Sequence, residues 1–184
     1  MVHVRIRPYE LNDARSVFEA ARESLVELRP WMPWCHPDYS MEDSHLWLET
    51  QVMAFQQGTA FEFAIVSPDG RYLGGCGLNE ISTANQRANL GYWVRSSATR
   101  RGVATEAVRL VRDWGFRHTE LLRLEIVVAV TNRASQRVAE KAGATLEGTL
   151  RSRLLLHGTP HDAAMFSFIR ENDRSALLRL WDSS

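Results

Sequence analysis

The stretch LGYWVRSSATRRGVATEAVRLVRDWGF, residues 90–116, predicts a strand, a loop and a helix in succession. Its second half repeats small and apolar residues with the period of one helix face, at Ala104, Ala107, Val108, Val111 and Phe116. The first turn of such a helix leaves backbone N–H groups free, and the helix dipole makes them attractive to anions. This unit therefore indicates an α/β domain with an anion-binding site at the start of the helix.

The loop itself, TRRGVAT at residues 99–105, has the composition expected for binding a diphosphate. Gly102 allows the backbone to approach a phosphate without a Cβ atom in the way. Arg100 and Arg101 add positive charge and forked donors, and Ala104 is small enough for close contact with a ligand. The loop matches neither the Walker pattern nor G-x-G-x-x-G. A solvated basic loop before an ordinary helix is the alternative at this point.

A second segment, TNRASQRVAEKAGA at residues 131–144, also places polar side chains at the end of a predicted strand. Asn132 follows that strand directly, where ligands of α/β sheets usually bind. Ser135 lies one helical turn later. Taken alone, this segment is explained more simply by Asn132 and Ser135 acting as helix-capping residues.

Periodic segments fill the rest of the chain in the order β α α β β β α β α β β. The predicted strands are Val2–Arg7, Phe61–Ser67, Tyr72–Ile81, Arg87–Val94, Arg123–Val130, Ala144–Arg153 and Asp162–Ile169. The predicted helices run from Asn12 or Asp13 to Leu28, Met41 to Gln57, Val103 to His118, Asn132 or Ser135 to Lys141, and Asp173 to Trp181. This order predicts a single α/β domain over residues 1–184, with helices packed on a mixed sheet.

The composition excludes several classes of protein. Lys plus Arg and Asp plus Glu both number 22, so no net charge draws the chain to nucleic acid. No apolar run approaches the ~18 residues of a membrane span, and the N-terminus lacks the apolar segment of a signal peptide. Cys35 and Cys76 form no C-x-x-C pair, which favours a reducing cytoplasm.

Together the two segments resemble the GNAT superfamily of N-acetyltransferases. Gly102 and Ala104 match the second half of its cofactor loop, Gln/Arg-x-x-Gly-x-Gly/Ala, while Thr99 replaces the usual first residue. The second family pattern is matched by Asn132, Ser135, Val138, Glu140, Gly143 and Ala144. GYWV at 91–94, LEGTLR at 146–151 and HGTPHD at 157–162 look specifically like the RimJ/RimL branch. The resemblance extends over about residues 3–170.

The resemblance implies a GNAT-like α/β fold: a mixed, mostly antiparallel central sheet flanked by helices on both faces. It implies acetyl-CoA as co-substrate, no metal, and direct transfer of acetyl to a primary amine without an acyl-enzyme. The first expectation for the acceptor is a protein N-terminal α-amine, as in ribosomal-protein acetylation. The alternatives are a small-molecule amine (amino acid, polyamine, antibiotic or toxin) and a non-catalytic acyl-CoA-binding module. A homodimer is expected from the branch alone.

The family's cofactor-binding residues map onto the two segments and the strand before the loop. They are Val94, Arg95, Arg100, Arg101, Gly102, Val103, Ala104, Thr105, Asn132 and Ser135. The resemblance implies that a backbone N–H near Val94 or Arg95 stabilises the oxyanion of the thioester carbonyl. It also implies that Ser135 donates a proton to the departing thiolate.

The general base is less defined, because many relatives have Glu where this chain has Asn89, which cannot take a proton. Glu80 on the preceding strand is the first substitute, water held by backbone carbonyls the second, and His161 the third. His157 and His161 lie in a predicted turn, so a metal pair there is not expected. Asp162 is expected to anchor a turn or strand end.

The aromatic-rich segment Trp31–Tyr39 lies between the two early helices, where the family forms one wall of the acceptor groove. The candidate acceptor-binding residues are Trp31, Trp34, Tyr39 and Asn89. A packed loop that shields the core is the equal alternative. Trp47 and Trp93 are expected in the core, and Cys35 is expected to be a small buried hydrophobe. An open groove would favour a peptide, and a pocket closed by Trp31–Tyr39 a small molecule.

Overall fold

A computed structural model describes residues 3–171, so the helix predicted at Asp173–Trp181 lies outside the described residues. The strands are β1 Arg5–Pro8, β2 Phe61–Val66, β3 Tyr72–Ser82, β4 Arg87–Val94, β5 Arg123–Ala129, β6 Thr145–Leu156 and β7 Thr159–Ile169. The helices are α1 Ala14–Glu23, α2 Leu25–Leu28, α3 Met41–Gln57, α4 Val103–His118 and α5 Arg133–Ala142. None of the helices between residues 3 and 171 has the length and apolar character that a bilayer crossing requires.

The seven strands form one sheet in the order β1-β2-β3-β4-β5-β7-β6. Every neighbouring pair is antiparallel except β4 and β5, which run parallel. Helices cover both faces. Tyr9, Val17, Leu48, Ala64 and Val66 pack α1 and α3 against one face, and Phe63, Leu90, Val108, Leu124 and Ala139 pack α4 and α5 against the other. The predicted fold class is confirmed, and the order of elements agrees with the prediction except that the first predicted helix is divided into α1 and α2.

Local signals set both ends of α3. Ser40 accepts a hydrogen bond from the Asp43 N–H, and the Asp43 carboxylate accepts one from the Ser40 N–H, which closes a capping box at the start of α3. Gly58 ends that helix in the left-handed conformation. The bounds predicted for α3, β4 and α4 are therefore confirmed.

The predicted first helix is wrong in its continuity, because it breaks at Ser24 into α1 and α2. The Ser24 hydroxyl donates to the Ala20 carbonyl at 2.7 Å and accepts from the Ser96 N–H at 2.9 Å. A serine bonded in this way competes with the helix backbone. The break joins the end of α1 to the loop that follows β4.

β4 and β5 separate after a short paired stretch. Their register covers only Arg87, Ala88 and Asn89 of β4, opposite residues 123–125 of β5. β4 then continues to Val94, and β5 continues to Ala129 while paired only with β7. Backbone groups along the facing edges of both strands are left without strand partners, and the sheet has a gap at its centre.

Candidate active site

A cavity of about 560 Å³ passes through the gap between β4 and β5. Both strands line it, through residues 90–93 and 126–129. Because side chains alternate along a strand, Asn89, Gly91 and Trp93 face α1 and α3, whereas Tyr92 faces α4 and α5. The cavity therefore joins the start of α5 on one face of the sheet with the segment around the early helices on the other face.

The loop at residues 99–105 leads into α4 with its first-turn N–H groups free, as the prediction requires. Arg100 and Gly102 adopt left-handed backbone conformations, with φ of 60° and 82°. The side chains of Arg100 and Arg101 are exposed and form no ion pair within residues 3–171. The loop does not line the cavity, so it offers a separate anion site at the start of the helix.

The structure separates the two residues expected to supply an oxyanion donor. The Arg95 N–H donates to the Leu73 carbonyl at 2.8 Å. Hydrogen-bonded pairs alternate along an antiparallel ladder, so the N–H of Val94, opposite Gly74, points away from β3 and towards the gap. Val94 therefore has the free donor and Arg95 does not.

The side chain of Arg95 is also occupied. Its guanidinium bonds the Glu23 carboxylate, with Nε at 2.9 Å from Oε2, and this partner lowers the pKa of Glu23 to about 2. The second Glu23 oxygen accepts from the Ser97 N–H at 2.8 Å. Arg95 thus fixes the loop after β4 to the end of α1, and its position does not support direct cofactor contact.

The start of α5 brings Asn132 and Ser135 to the cavity. Asn132 is the N-cap, and its Oδ1 accepts from the Ser135 N–H at 3.1 Å. The Tyr92 hydroxyl lies 2.8 Å from Ser135 Oγ and donates to the Ser135 carbonyl at 2.9 Å. Burial raises the pKa of Tyr92 to about 12, so this phenol keeps its proton. Capping and exposure to the cavity are therefore combined in the same residues, and Tyr92 was missed from sequence.

The Trp31–Tyr39 segment forms an aromatic wall on the other face of the sheet. Trp31, Trp34 and Tyr39 all line the cavity, and the Trp34 ring lies 5.5 Å from that of Trp93 and 5.6 Å from that of Tyr39. Tyr39 is only 7% exposed, whereas Trp34 is 38% exposed. The segment is thus both a packed loop and a cavity wall.

Two tryptophans expected in the core also belong to this wall. Trp47 and Trp93 are only partly buried, pack beside the core cluster under α1 and α3, and line the cavity. The two cysteines follow expectation more closely. Cys35 and Cys76 are 0% and 1% exposed, so Cys35 is confirmed as a small buried side chain.

Glu80, the first candidate for the general base, is exposed and does not line the cavity. Its φ of 48° lies at the irregularity where β3 and β4 lose register after Asn79. Its position does not support a catalytic role. Asn89 does line the cavity, and its Nδ2 donates to Asn79 Oδ1 at 2.8 Å.

Two carboxylates line the cavity, Asp43 on α3 and Glu62 on β2. Asp43 takes part in the capping box at the start of α3, whereas Glu62 lies on the sheet. Asn79 Nδ2 donates to Glu62 Oε1 at 2.9 Å. Burial raises the pKa of Glu62 to about 7, and the hydrogen bond from Asn79 opposes part of that rise. The only sequence signal for Glu62 is a lone acidic residue in the apolar strand FEFAIV, residues 61–66.

The histidines of the last hairpin lie elsewhere. His157 Nε2 is 2.7 Å from the Arg29 carbonyl, which joins the β6–β7 turn to the segment after α2. His161 does not line the cavity. Asp162 Oδ1 accepts from the Ser152 N–H at 2.8 Å and so anchors β6. Residues 3–171 contain no group of three or more His, Cys, Asp or Glu able to hold a metal ion.

A sheet opened between parallel strands, an anion-binding helix start and a polar α5 start at the gap define an acyl-CoA-dependent transferase. The family model described as "Acetyltransferase (GNAT) domain" matches residues 3–145. The chain belongs to this family and is an acetyl-CoA-dependent N-acetyltransferase, which confirms the resemblance found in the sequence.

Two relatives that align with nearly the full chain are also named as N-acetyltransferases or acetyltransferases. The putative ribosomal N-acetyltransferase YdaF of Bacillus subtilis is 28% identical over 171 residues, 91% of this chain and 92% of its own. The ribosomal-protein-serine acetyltransferase of Escherichia coli is 27% identical over 158 residues, 86% of this chain and 88% of its own. The structure of RimL, a ribosomal L7/L12 alpha-N-protein acetyltransferase in complex with coenzyme A, shares the fold with a TM-score of 0.84, 22% identity and coverage of 92% and 95%.

Proposed function

We propose that this enzyme acetylates the N-terminal α-amine of a protein, with residues 1–184 acting as one catalytic domain. The two relatives named for ribosomal substrates support this acceptor class. The observation that carries the proposal is the cavity through the β4–β5 gap, because it connects Asn132 and Ser135 with an acceptor wall on the opposite face. An amine can approach the acetyl group from the face that the cofactor does not occupy.

The cofactor residues follow from the free donors. The first-turn N–H groups of Val103, Ala104 and Thr105 bind the pyrophosphate, together with the loop at Gly102. Arg100 and Arg101 add charge at the same point. The Nδ2 of Asn132 is available for the pantetheine amides, because Oδ1 is held by the N-cap bond.

The reaction centre lies at the gap. Acetyl-CoA supplies a thioester carbonyl for direct attack by the amine. The Val94 N–H stabilises the oxyanion that forms on this carbonyl. Tyr92 gives its own proton to the Ser135 carbonyl, so the Ser135 hydroxyl donates to Tyr92 at rest. As the C–S bond breaks, Ser135 Oγ–H turns to donate to the departing sulfur.

The test is an acceptor screen that follows CoA release. Hexapeptides with a free N-terminal serine or alanine are compared with the same peptides acetylated at the N-terminus, and mass spectrometry locates the transferred acetyl group. We expect turnover with the free N-termini alone. Turnover restricted to lysine side chains or small amines would contradict the proposed acceptor.

A small-molecule amine bearing a planar group is the second candidate. It is favoured by the indole rings of Trp31 and Trp34, which line the cavity and offer stacking surfaces to an aromatic amine. The same screen, extended to spermidine, amino acids and aromatic amines, discriminates the two. If acetyl-CoA binds by calorimetry and no amine releases CoA, the non-catalytic alternative takes the place of both.

Localisation and assembly are further parts of the proposal. Two buried free cysteines favour a reducing compartment, and we place the enzyme in the cytoplasm. Dimerisation is proposed from the resemblance to the RimJ/RimL branch alone, and light scattering tests it.

A further inference from the structure

Three residues form a row across the sheet on the face of α1 and α3. Glu62 on β2 pairs with Gly77 on β3, and Gly77 pairs with Gly91 on β4. Beyond Gly91 the row reaches the gap between β4 and β5. Two positions without side chains therefore separate the Glu62 carboxylate from the reaction centre.

Gly77 allows the Glu62 side chain to lie over β3. A Cβ atom on Gly77 would be 2.3 Å from Glu62 Oε2 and 2.6 Å from the Phe61 carbonyl oxygen, so no larger residue fits there. The carboxylate thus sits one strand away from Gly91, a distance of about 4.8 Å between neighbouring strands. Oε1 is bonded by Asn79, and Oε2 has no hydrogen-bond partner within residues 3–171.

Because Gly91 has no side chain, there is room for a small group between this carboxylate and the gap. A Cβ atom there would meet Asn79 Nδ2 at 3.6 Å and Asn89 Nδ2 at 3.9 Å, which are ordinary contacts. The two amides form one side of a trough whose floor is Gly77 and Gly91. Trp93 lies two residues after Gly91 on β4 and so faces the same side of the sheet. It lines the cavity on the side of the trough opposite the two amides.

We infer that this trough binds the acceptor as an ammonium ion above Gly91, and that Glu62 Oε2 removes its proton. The inference rests on the proposed function, because it assigns the acceptor amine of the same site. Aromatic faces beside a buried carboxylate are suited to a cation. Asn89 does not act as a base and instead holds Asn79 in position against Glu62.

The step is balanced within the residues present. One N–H proton of the acceptor ammonium passes to Oε2 of Glu62, and the nitrogen keeps the electron pair. That pair forms the C–N bond to the thioester carbonyl, and the C–S bond then breaks with its electrons on sulfur. The sulfur takes a proton from Ser135 Oγ, and this oxygen takes up the extra proton of the nitrogen as the intermediate collapses, so the serine hydroxyl is restored. The products are the amide, the CoA thiol and a protonated Glu62, which returns its proton to solvent.

The surroundings keep Glu62 poised for this exchange. Its pKa of about 7, raised by burial, lies where a carboxylate accepts a proton at neutral pH and releases it again. The titratable groups facing the same cavity from other elements are Tyr9 after β1, His36 and Tyr39 in the aromatic segment, Asp43 on α3, Cys76 on β3 and Tyr92 on β4. Burial raises the pKa of Tyr9 and of Cys76, which keeps both neutral at pH 7.

The first test is Glu62→Gln, which keeps the shape of the side chain and its bond to Asn79. With a serine hexapeptide as acceptor, we expect kcat/KM to fall about 100-fold or more, with unchanged acetyl-CoA affinity by calorimetry. The wild-type kcat/KM rises with pH through an inflection near pH 7, where Glu62 loses its proton, and this inflection disappears in the variant. Glu49→Gln, on the exposed side of α3, is the matched control and keeps both the rate and the inflection.

The second test fills the trough without disturbing the fold. Gly91→Ala adds one methyl group that makes ordinary van der Waals contacts with Asn79 and Asn89, so the protein folds normally, but the methyl occupies the ammonium position. We expect the acceptor KM to rise about tenfold or more, with acetyl-CoA affinity unchanged. An unchanged acceptor KM would place the amine elsewhere.

Binding of the hexapeptide itself separates this inference from the proposed function. The wild type prefers the free-amine hexapeptide over its N-acetylated form in calorimetry, and Glu62→Gln loses that preference. Wild-type turnover with an equally active Glu62→Gln variant overturns the role of Glu62 and leaves the acetyltransferase function intact. Absence of turnover with any amine overturns the proposed acceptor. The preference of the wild type for the free-amine hexapeptide still tests whether the trough binds an ammonium ion.

Discussion

Glu62→Gln should raise the free energy of unfolding at pH 8 and leave it unchanged at pH 4. Glu62 lies in the apolar strand β2, where burial raises its pKa from 4.5 to about 7. The unfolded chain restores the ordinary value, so the folded state binds this proton more tightly than the unfolded state. Stability from Glu62 is therefore fully present below pH 4.5 and is lost as pH rises through about 7.

The magnitude follows from the two pKa values. Each pKa unit corresponds to ~1.4 kcal/mol, so the difference between 4.5 and about 7 amounts to about 3 kcal/mol above pH 7. A glutamine at position 62 carries no charge at any pH and can still accept the hydrogen bond from Asn79 Nδ2. The wild type should thus be less stable than the variant by about 3 kcal/mol at pH 8, a large fraction of a typical domain's stability.

Urea unfolding followed by tryptophan fluorescence measures this difference at intervals between pH 4 and 8. Taking the variant-minus-wild-type difference at each pH cancels the titration of all other groups, provided the slope of free energy against urea is unchanged. Parallel pH profiles for the two proteins would refute the reasoning, because they would mean that Glu62 titrates alike in the folded and unfolded states. If the wild type were more stable than the variant at pH 8, the predicted difference in free energy of unfolding would have the wrong sign.

Three further outcomes test the rest of the site. Gly102→Asp should abolish acetyl-CoA binding in calorimetry through charge repulsion and a Cβ clash at the pyrophosphate, whereas Gly70→Asp, with a similar φ of 87° in an exposed turn, should bind normally. Ser135→Ala should lower kcat about 100-fold with little change in acetyl-CoA affinity, and an unchanged kcat would remove Ser135 from the mechanism. Cys35 and Cys76 should resist a thiol reagent at pH 8 until urea unfolds the protein, because both are buried.

The elements predicted from sequence with correct bounds are those whose ends carry a local signal. The capping box at Ser40 and the glycine at 58 define α3 through contacts within four residues. The break at Ser24 could not be predicted in this way. It depends on a bond between the Ser24 hydroxyl and the Ser96 N–H, which is 72 residues away in the chain.

The residues of the candidate site also differ in whether a local motif marks them in the sequence. The loop at 99–105 and the pair Asn132–Ser135 are compact motifs, and the structure brings the pair to the cavity while the loop starts α4. The prediction of Glu80 depends only on its place on the strand that precedes Asn89, and neighbouring residues on a strand face opposite sides. The same one-residue step places Asn79 in the cavity and Glu80 outside it.

The acceptor side of the site depends on two glycines, which have no side chains. A motif of reactive residues therefore does not mark it in the sequence. Glu62, Gly77 and Gly91 are separated in sequence and meet only through the register of β2, β3 and β4. A slip of one residue in either pair would turn one of the three to the opposite face and close the trough. The register is secured by the core on the other face, where Phe63, Leu78 and Leu90 are almost fully buried. Packing on the cofactor face therefore fixes the register that keeps the trough on the acceptor face open. The Glu62 carboxylate can act at the reaction centre because the two positions between them, Gly77 and Gly91, have no side chains.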